Sequence, residues 1–309
     1  MLKSWHIRNN VCYELHTSGK EILKFFGINF KSSSNGLVRK LRSWNRYRLV
    51  KKRSTESQTA EEPDTLCVLG ILKNEELAID EWIQHYLWQG VDKIILIDNG
   101  STDSSPERIK SWAQDKRISY ISLARPYRQR EHYWSAIKRF GVREKWKWLL
   151  IADLDEFWFS KDGKPLKERL ADYKDMDVVY CNWSIFGCQD KIKHPKSLRR
   201  SLLFRNPILG SNKHKKYLVR AKKLRNPSML HIHYVAGLDS ADTISDNTNL
   251  QINHYVTQSY HFWTKVKMTR GDVIDPLADN LRELRTFESV NSTATQKDTL
   301  LSELVDRQI

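Results

Sequence analysis

The 309-residue chain is short of the features that define several classes of protein. It has four cysteines, at positions 12, 67, 181 and 188, with neither paired zinc spacing nor the density of a disulfide framework. Cys67 lies inside an apolar run and is expected to be a buried thiol, while Cys181 and Cys188 are expected to stay reduced. There is no window of eighteen apolar residues, so no transmembrane helix is expected. The opening Met1-Leu2-Lys3 lacks the apolar core of a secretory signal. A cytoplasmic chain is therefore expected. No zinc finger, helix-turn-helix or RNA-recognition signature appears, and no nucleic-acid partner is expected. A glycine-rich phosphate loop is also missing. After the first strong apolar run, Leu69-Gly70-Ile71-Leu72-Lys73-Asn74 stands where a sugar nucleotidyltransferase would carry one.

Acidic residues are scarce at the start: residues 1–60 hold thirteen Lys or Arg against three acids, so most of the +15 net charge lies there. A basic nucleic-acid-binding protein would share this trait but would have no use for acids in a sheet crevice. Attraction to an anionic membrane surface is the better fit, each basic residue near such a surface being worth about 1 kcal/mol. Between Val38 and Arg53 the basic residues are interleaved with Leu41, Trp44, Tyr47 and Leu49, as in an interfacial helix. Ser54 to Pro63 is polar and aperiodic and reads as a linker.

Apolar residues make up 40% of the chain, enough for a large core, and their pattern sets the fold class. Leu66 to Leu72 is a buried strand, residues 77–88 have helical spacing, and Gly90 closes that helix. Strands at 93–97 and 118–123 alternate with helices at 105–115 and 130–144. This β-α-β-α-β-α-β order predicts a mostly parallel sheet flanked by helices. Beyond Phe157 the pattern becomes mixed, with strands near Val178–Trp183 and Lys213–Arg220 and a helix over Tyr260–Arg270. From 276 a terminal helix or tail is expected.

The stretch with the most chemistry is Trp148-Leu149-Leu150-Ile151-Ala152-Asp153-Leu154-Asp155-Glu156-Phe157. Its apolar half is a strand, and its carboxylates emerge at the carboxyl end, where open α/β sheets take their ligand. Side chains alternate with period two, so Asp153 and Asp155 face one side. Hard oxygens there suit Mg²⁺ or Mn²⁺ carrying a diphosphate. His233, or its neighbour His231, could complete the shell. Asp98, at the end of the second strand, is placed to read a base or ribose. Lys73 and Glu75 follow the first strand, and Gln129 opens the helix ahead of the acidic strand.

Several of these segments taken together resemble a known family. Lys73-Asn74-Glu75, Glu81-Trp82, Gly90-Val91 and Ile97-Asp98-Asn99-Gly100-Ser101-Thr102-Asp103 are similar to the start of family 2-type glycosyltransferases. With Asp153-Leu154-Asp155-Glu156-Phe157, Trp183, Phe186-Gly187, Lys216 to Arg220 and Asn253-His254-Tyr255, the series resembles the branch that includes glycosyltransferase family 92. The resemblance covers about residues 65–272 and implies a GT-A fold, a Rossmann-like nucleotide half joined to a mixed acceptor half. Residues 64–275 would be that domain, between the basic segment 1–63 and the tail 276–309. It implies inverting transfer of a sugar, from a UDP-sugar or other nucleotide-sugar donor, to a hydroxyl of a glycan or glycolipid, in cell-surface polysaccharide synthesis. Lys216 and Arg220 match the family's Lys-x-x-x-Arg strand and would meet the departing phosphates. Asp190 and Glu156 are the candidates for the base. Trp158 and Trp183 could stack on a sugar.

Deleting residues 1–60 is expected to abolish co-sedimentation with anionic vesicles while leaving nucleotide-sugar hydrolysis in place. Equal vesicle binding by the truncated chain would refute the anchoring role.

Overall fold

The computed structural model describes residues 63–210, 214–270 and 283–307 in full, and the backbone of four strands within residues 1–62. Two compact units result, Met1–Glu62 and Pro63–Ile309. In the first, β1 (Lys3–Ile7), β2 (Val11–Leu15), β3 (Glu21–Phe25) and β4 (Ile28–Ser32) form an antiparallel meander. The basic stretch from Val38 to Arg53 and the linker after it lie outside the described residues.

The second unit begins with the expected alternation. β5 (Leu66–Leu72) is followed by α1 (Ile79–Trp88), β6 (Lys93–Asp98), α2 (Ser105–Ser111), β7 (Ile118–Ser122), α3 (Gln129–Phe140) and β8 (Trp148–Ile151). These strands pair in parallel in the order β7-β6-β5-β8. β5, β6 and β8 are apolar on both faces because helices cover both, whereas the edge strand β7 is only partly buried. Leu66, Val68, Ile94, Leu96, Trp148 and Leu150 pack on the α1 side with Ile79, Trp82, Ile83 and Tyr86. Cys67, Leu69, Ile71, Ile95, Ile97, Leu149 and Ile151 pack on the α3 side with Tyr133, Ala136 and Ile137. Cys67, Cys181 and Cys188 are buried free thiols.

One expected helix is divided. Gly141 takes a left-handed φ of +64° and closes α3 at Phe140, and a separate turn of helix covers Val142–Lys145. The glycine that tolerates this conformation stops the run expected to reach 144.

Beyond β8 the sheet becomes mixed, as expected. β9 (Glu156–Ser160), β10 (Val178–Gly187), β11 (Phe204–Arg205), β12 (Lys215–Arg220), β13 (Thr243–Ser245), β14 (Leu250–His254) and β15 (Gln296–Lys297) complete it. β12 lies antiparallel between β8 and β10. β10 changes partners along its length: residues 178–182 pair with β12 on one edge, with β13 alongside Val178–Tyr180 on the other, then Trp183–Ile185 pair with β14, and Phe186 and Gly187 pair with β11. β14 in turn pairs antiparallel with β9. The chain therefore leaves the large sheet at Ile151 and enters this smaller array at Glu156, and the acidic residues form the seam between them. The C-terminal helices α4 (Leu284–Thr293) and α5 (Leu300–Asp306) flank β15, and Leu301, Leu304 and Val305 are buried in the core.

Trp82 ties α1 to the seam. It is fully buried, its ring lies 3.1 Å from where a Cβ on Gly70 would stand, and its indole Nε1 donates to the Asp153 carbonyl at 2.9 Å. Trp82→Ala is expected to cost about 3–5 kcal/mol, read as a lower urea midpoint in equilibrium unfolding.

Candidate active site

The seam is a tight turn. Glu156 N donates to the Asp153 carbonyl at 3.0 Å, and Asp153 N donates to Glu156 Oε2 at 3.1 Å. Leu154, between the two aspartates, is buried in the core on the α1 side. Tyr86 of α1 donates its hydroxyl to the Glu156 carbonyl at 3.0 Å, and Tyr255 N donates to the Asp155 carbonyl at 2.8 Å. The turn's own bonds, the Tyr86 hydroxyl and the Tyr255 amide thus hold its backbone in place.

Each carboxylate meets a different cation. Lys216 of β12, with no exposed surface, reaches Asp153 Oδ2 at 2.7 Å and Glu156 Oε1 at 3.3 Å. Burial works against its charge, but Asp153 and Glu156 together hold the ammonium above the usual lysine range. Asp155, 4% exposed, is met by Lys267 at 2.5 Å on Oδ2 and by His254 Nε2 at 3.4 Å on Oδ1. Burial also works against the Asp155 charge, yet Lys267 and His254 hold its carboxyl well below the usual range. Glu75, buried at the end of β5, bonds Arg270, and Lys267 Nζ lies 4.0 Å from it.

The expected donor residues gather along this edge. Glu75, Asp98, Asp153 and Asp155 all follow the carboxyl ends of β5, β6 and β8. Arg270 donates to the Lys73 carbonyl at 3.0 Å, which brings Lys73 to the same rim. Asp98 is buried and accepts from Ser101 N at 2.9 Å. Gln129 donates to the Tyr133 hydroxyl at 2.9 Å, and its buried Oε1 has no hydrogen-bond partner.

Other expected residues stand elsewhere or do other things. Arg220 is four residues beyond Lys216 on β12, about 13 Å along a strand, and pairs in register with Trp148 at the far end of β8. There it covers the Trp148 ring at 4.0 Å and reaches Asp64 and the Lys174 carbonyl. The Lys-x-x-x-Arg spacing along a strand separates these two residues instead of joining them. Glu156 is fully enclosed: its Oε2 accepts from Asp153 N, and its Oε1, without a hydrogen-bond partner, lies 3.3 Å from Lys216 Nζ. Trp158 is fully buried core. Asp190 is exposed in the turn after β10.

His233 stands beside the seam with Nδ1 3.0 Å from the Lys215 carbonyl, and its ring meets Trp183 edge-on at 5.1 Å. Trp183 also meets His254 at 4.2 Å and stacks on His214 at 5.7 Å. The imidazole that reaches Asp155 is that of His254, drawn there by its register opposite Glu156 on β9. Its Asn253-His254-Tyr255 setting was visible in sequence; the contributions of Lys267 and Arg270 were not.

A divalent ion fits part of this arrangement. Asp155 Oδ1 and His254 Nε2 are a mixed oxygen and nitrogen pair at 3.4 Å, and His254 Nδ1 is buried without a hydrogen-bond partner. Mn²⁺ accepts such a pair. Among the described residues no three His, Cys, Asp or Glu side chains converge as a complete metal site. Ligand oxygens and water would supply the rest, as is usual for ions that bridge protein to phosphate.

Comparison with known proteins adds a family. The model of glycosyltransferase family 92 matches residues 63–301. A family 92 protein of Arabidopsis thaliana is 27% identical over 135 residues, which are 40% of this chain and 21% of that one. One from Oryza sativa subsp. japonica is 25% identical over 210 residues, 66% of this chain and 34% of that one. The chain spans only about a fifth to a third of the length of these relatives. Among solved structures, S. aureus TarS 1–349 in complex with UDP aligns over 79% of this chain and 71% of that one, at 12% identity and a TM-score of 0.39. That likeness is too loose to bear on function.

Lys216→Met should be severely destabilising, by about 3–5 kcal/mol, because it strands two carboxylates at a buried position. Burial pushes the Glu156 carboxyl well above its usual range, with Lys216 opposing and Asp153 reinforcing. A carboxyl raised on folding adds stability at low pH that is lost as pH climbs from the ordinary carboxylate range through the raised value. Without the opposing cation this loss deepens, so the deficit in urea unfolding should be larger at pH 8 than at pH 5.

Proposed function

Because the chain belongs to glycosyltransferase family 92, we propose that it transfers a sugar from a nucleotide-sugar donor, a UDP-sugar in the first instance, to a hydroxyl of a glycan or glycolipid with inversion. The observation that carries this reading is the seam itself. Asp153 and Asp155 emerge at the carboxyl end of β8, aligned with Glu75 and Asp98 at the ends of β5 and β6. That is the crevice in which α/β sheets bind nucleotides.

Mn²⁺ or Mg²⁺ would be held by Asp155 and His254 and would offset the charge that builds on the departing diphosphate. Lys216 pairs with both Asp153 and Glu156 across the turn, so that Asp155 is presented at a fixed place. Asp98 would accept from the base or the ribose. Trp183, flanked by His214, His233 and His254, offers an aromatic face beside the reacting centre of the kind that stacks on sugars. Inversion needs a base beside the acceptor hydroxyl. Of the two carboxylates considered for it, Glu156 is enclosed and Asp190 is exposed in the turn after β10. The basic N-terminal segment would hold the enzyme at an anionic membrane surface, where glycolipid acceptors reside, in the synthesis of cell-surface polysaccharide.

Asp155→Ala should lower Mn²⁺-supported hydrolysis of the nucleotide sugar at least a hundredfold while leaving the folded secondary structure, followed by circular dichroism, intact. Undiminished turnover in that variant would remove Asp155 from the chemistry.

A further inference from the structure

Lys267 and Arg270 come from a segment that sequence periodicity reads as an ordinary helix. Residues Trp263–Lys267 instead wind as a π-helical turn. Such turns are rare and concentrate at functional sites. This one delivers Lys267 Nζ to 2.5 Å from Asp155 Oδ2 and 4.0 Å from Glu75 Oε1. Three residues on, Arg270 bonds the Glu75 carboxylate and the Lys73 carbonyl. The lysine side chain is 2% exposed and the arginine side chain 18%.

Stability alone does not account for this pairing. Withdrawing two cations and two carboxylates from water carries a desolvation cost that apolar residues of similar size would avoid. Both carboxylates also keep acceptor capacity in hand: buried Glu75 Oε2 has no hydrogen-bond partner, and Asp155 Oδ1 faces His254 at 3.4 Å. The two carboxylates stand on the loops after β5 and β8, and the two cations reach them from the π-helical turn after β14 and the residues just beyond it. A ligand that carries adjacent negative charges, and brings a cation of its own, would use every one of them.

We propose that Lys267 and Arg270 bind the diphosphate of the donor, and that Lys267 occupies Asp155 only until the donor arrives. On binding, the ammonium turns from Asp155 Oδ2 to a phosphate oxygen, and the released carboxylate oxygen is open to the divalent ion. The exchange conserves charge: lysine trades one anion for another, and aspartate trades one cation for another. Lysine meets phosphate as a point charge, whereas arginine can take two oxygens at once. The inference rests on the donor being a nucleoside diphosphate sugar.

The test is calorimetric titration of the full chain with UDP in EDTA, alongside uridine binding by saturation-transfer NMR. Lys267→Met and Arg270→Gln should each weaken UDP at least tenfold and leave uridine within twofold, and Lys267→Arg should recover most of the loss. Without nucleotide, Lys267→Met should also bind Mn²⁺ at least tenfold more tightly by electron paramagnetic resonance, because Asp155 Oδ2 is vacated. UDP affinity unchanged in both variants, or equal losses for UDP and uridine, would make the pair structural and overturn the proposal. If Lys267→Met does not fold, Arg270→Gln, at the more exposed position, decides the same comparison. A wild-type chain that binds none of UDP, GDP, CDP or ADP, in EDTA or with Mn²⁺, overturns the functional reading and this inference with it. Wild-type binding with unaffected variants overturns the inference alone.

Discussion

The ion cluster at the seam is the constraint to which the rest of the structure answers. Four carboxylates (Glu75, Asp153, Asp155 and Glu156) meet Lys216, Lys267 and Arg270 in an interior where an unmatched charge costs several kcal/mol. None of these partners is a sequence neighbour. Lys216 arrives because β12 pairs antiparallel with β8, and His254 arrives because β14 pairs with β9. Lys267 and Arg270 arrive because the chain returns after β14 to cover the ends of β5 and β8. The topology beyond residue 157 can therefore be understood as the means by which cations and imidazole are returned to one acidic turn.

Much of the fold was legible because it depends on local periodicity. The runs Leu66–Leu72 and Ile94–Ile97 carry no polar side chain, and this continuous pattern marks strands covered on both faces. The position of Asp153 and Asp155 was legible as well, since both follow at once on the apolar run that ends at Ile151; their strand-like alternation was not, because the chain turns at Leu154 and Asp155. The partners of those carboxylates were not. His233 and His254 both stand near Trp183, and only the register of β14 against β9 decides which imidazole reaches Asp155. Spacing that joins residues on a helix parts them on a strand, and Arg220 lies far from Lys216 for that reason. The π turn at Trp263 was hidden because an apolar periodicity near 3.6 does not report a single added residue.

The same geometry assigns different work to similar side chains. Glu156 and Asp155 are adjacent in sequence, yet one is enclosed with its carboxyl raised and the other is held ionised. Glu156 caps the turn and engages Lys216. Asp155, backed by the Tyr255 amide and bracketed by Lys267 and His254, keeps an oxygen directed at an imidazole with a free nitrogen. Structural and chemical duties are thereby separated within two residues.

β10 belongs to both sheets, and this has a mechanical corollary. Its first half carries Lys216 through β12, and its second half carries His254 through β14, with Trp183 at the junction. Because one continuous backbone spans the two arrays, a torsion at that junction would displace the anchor of Asp153 and the imidazole beside Asp155 together. A displacement of Trp183 would thus reach both groups as one correlated movement, with no separate messenger required.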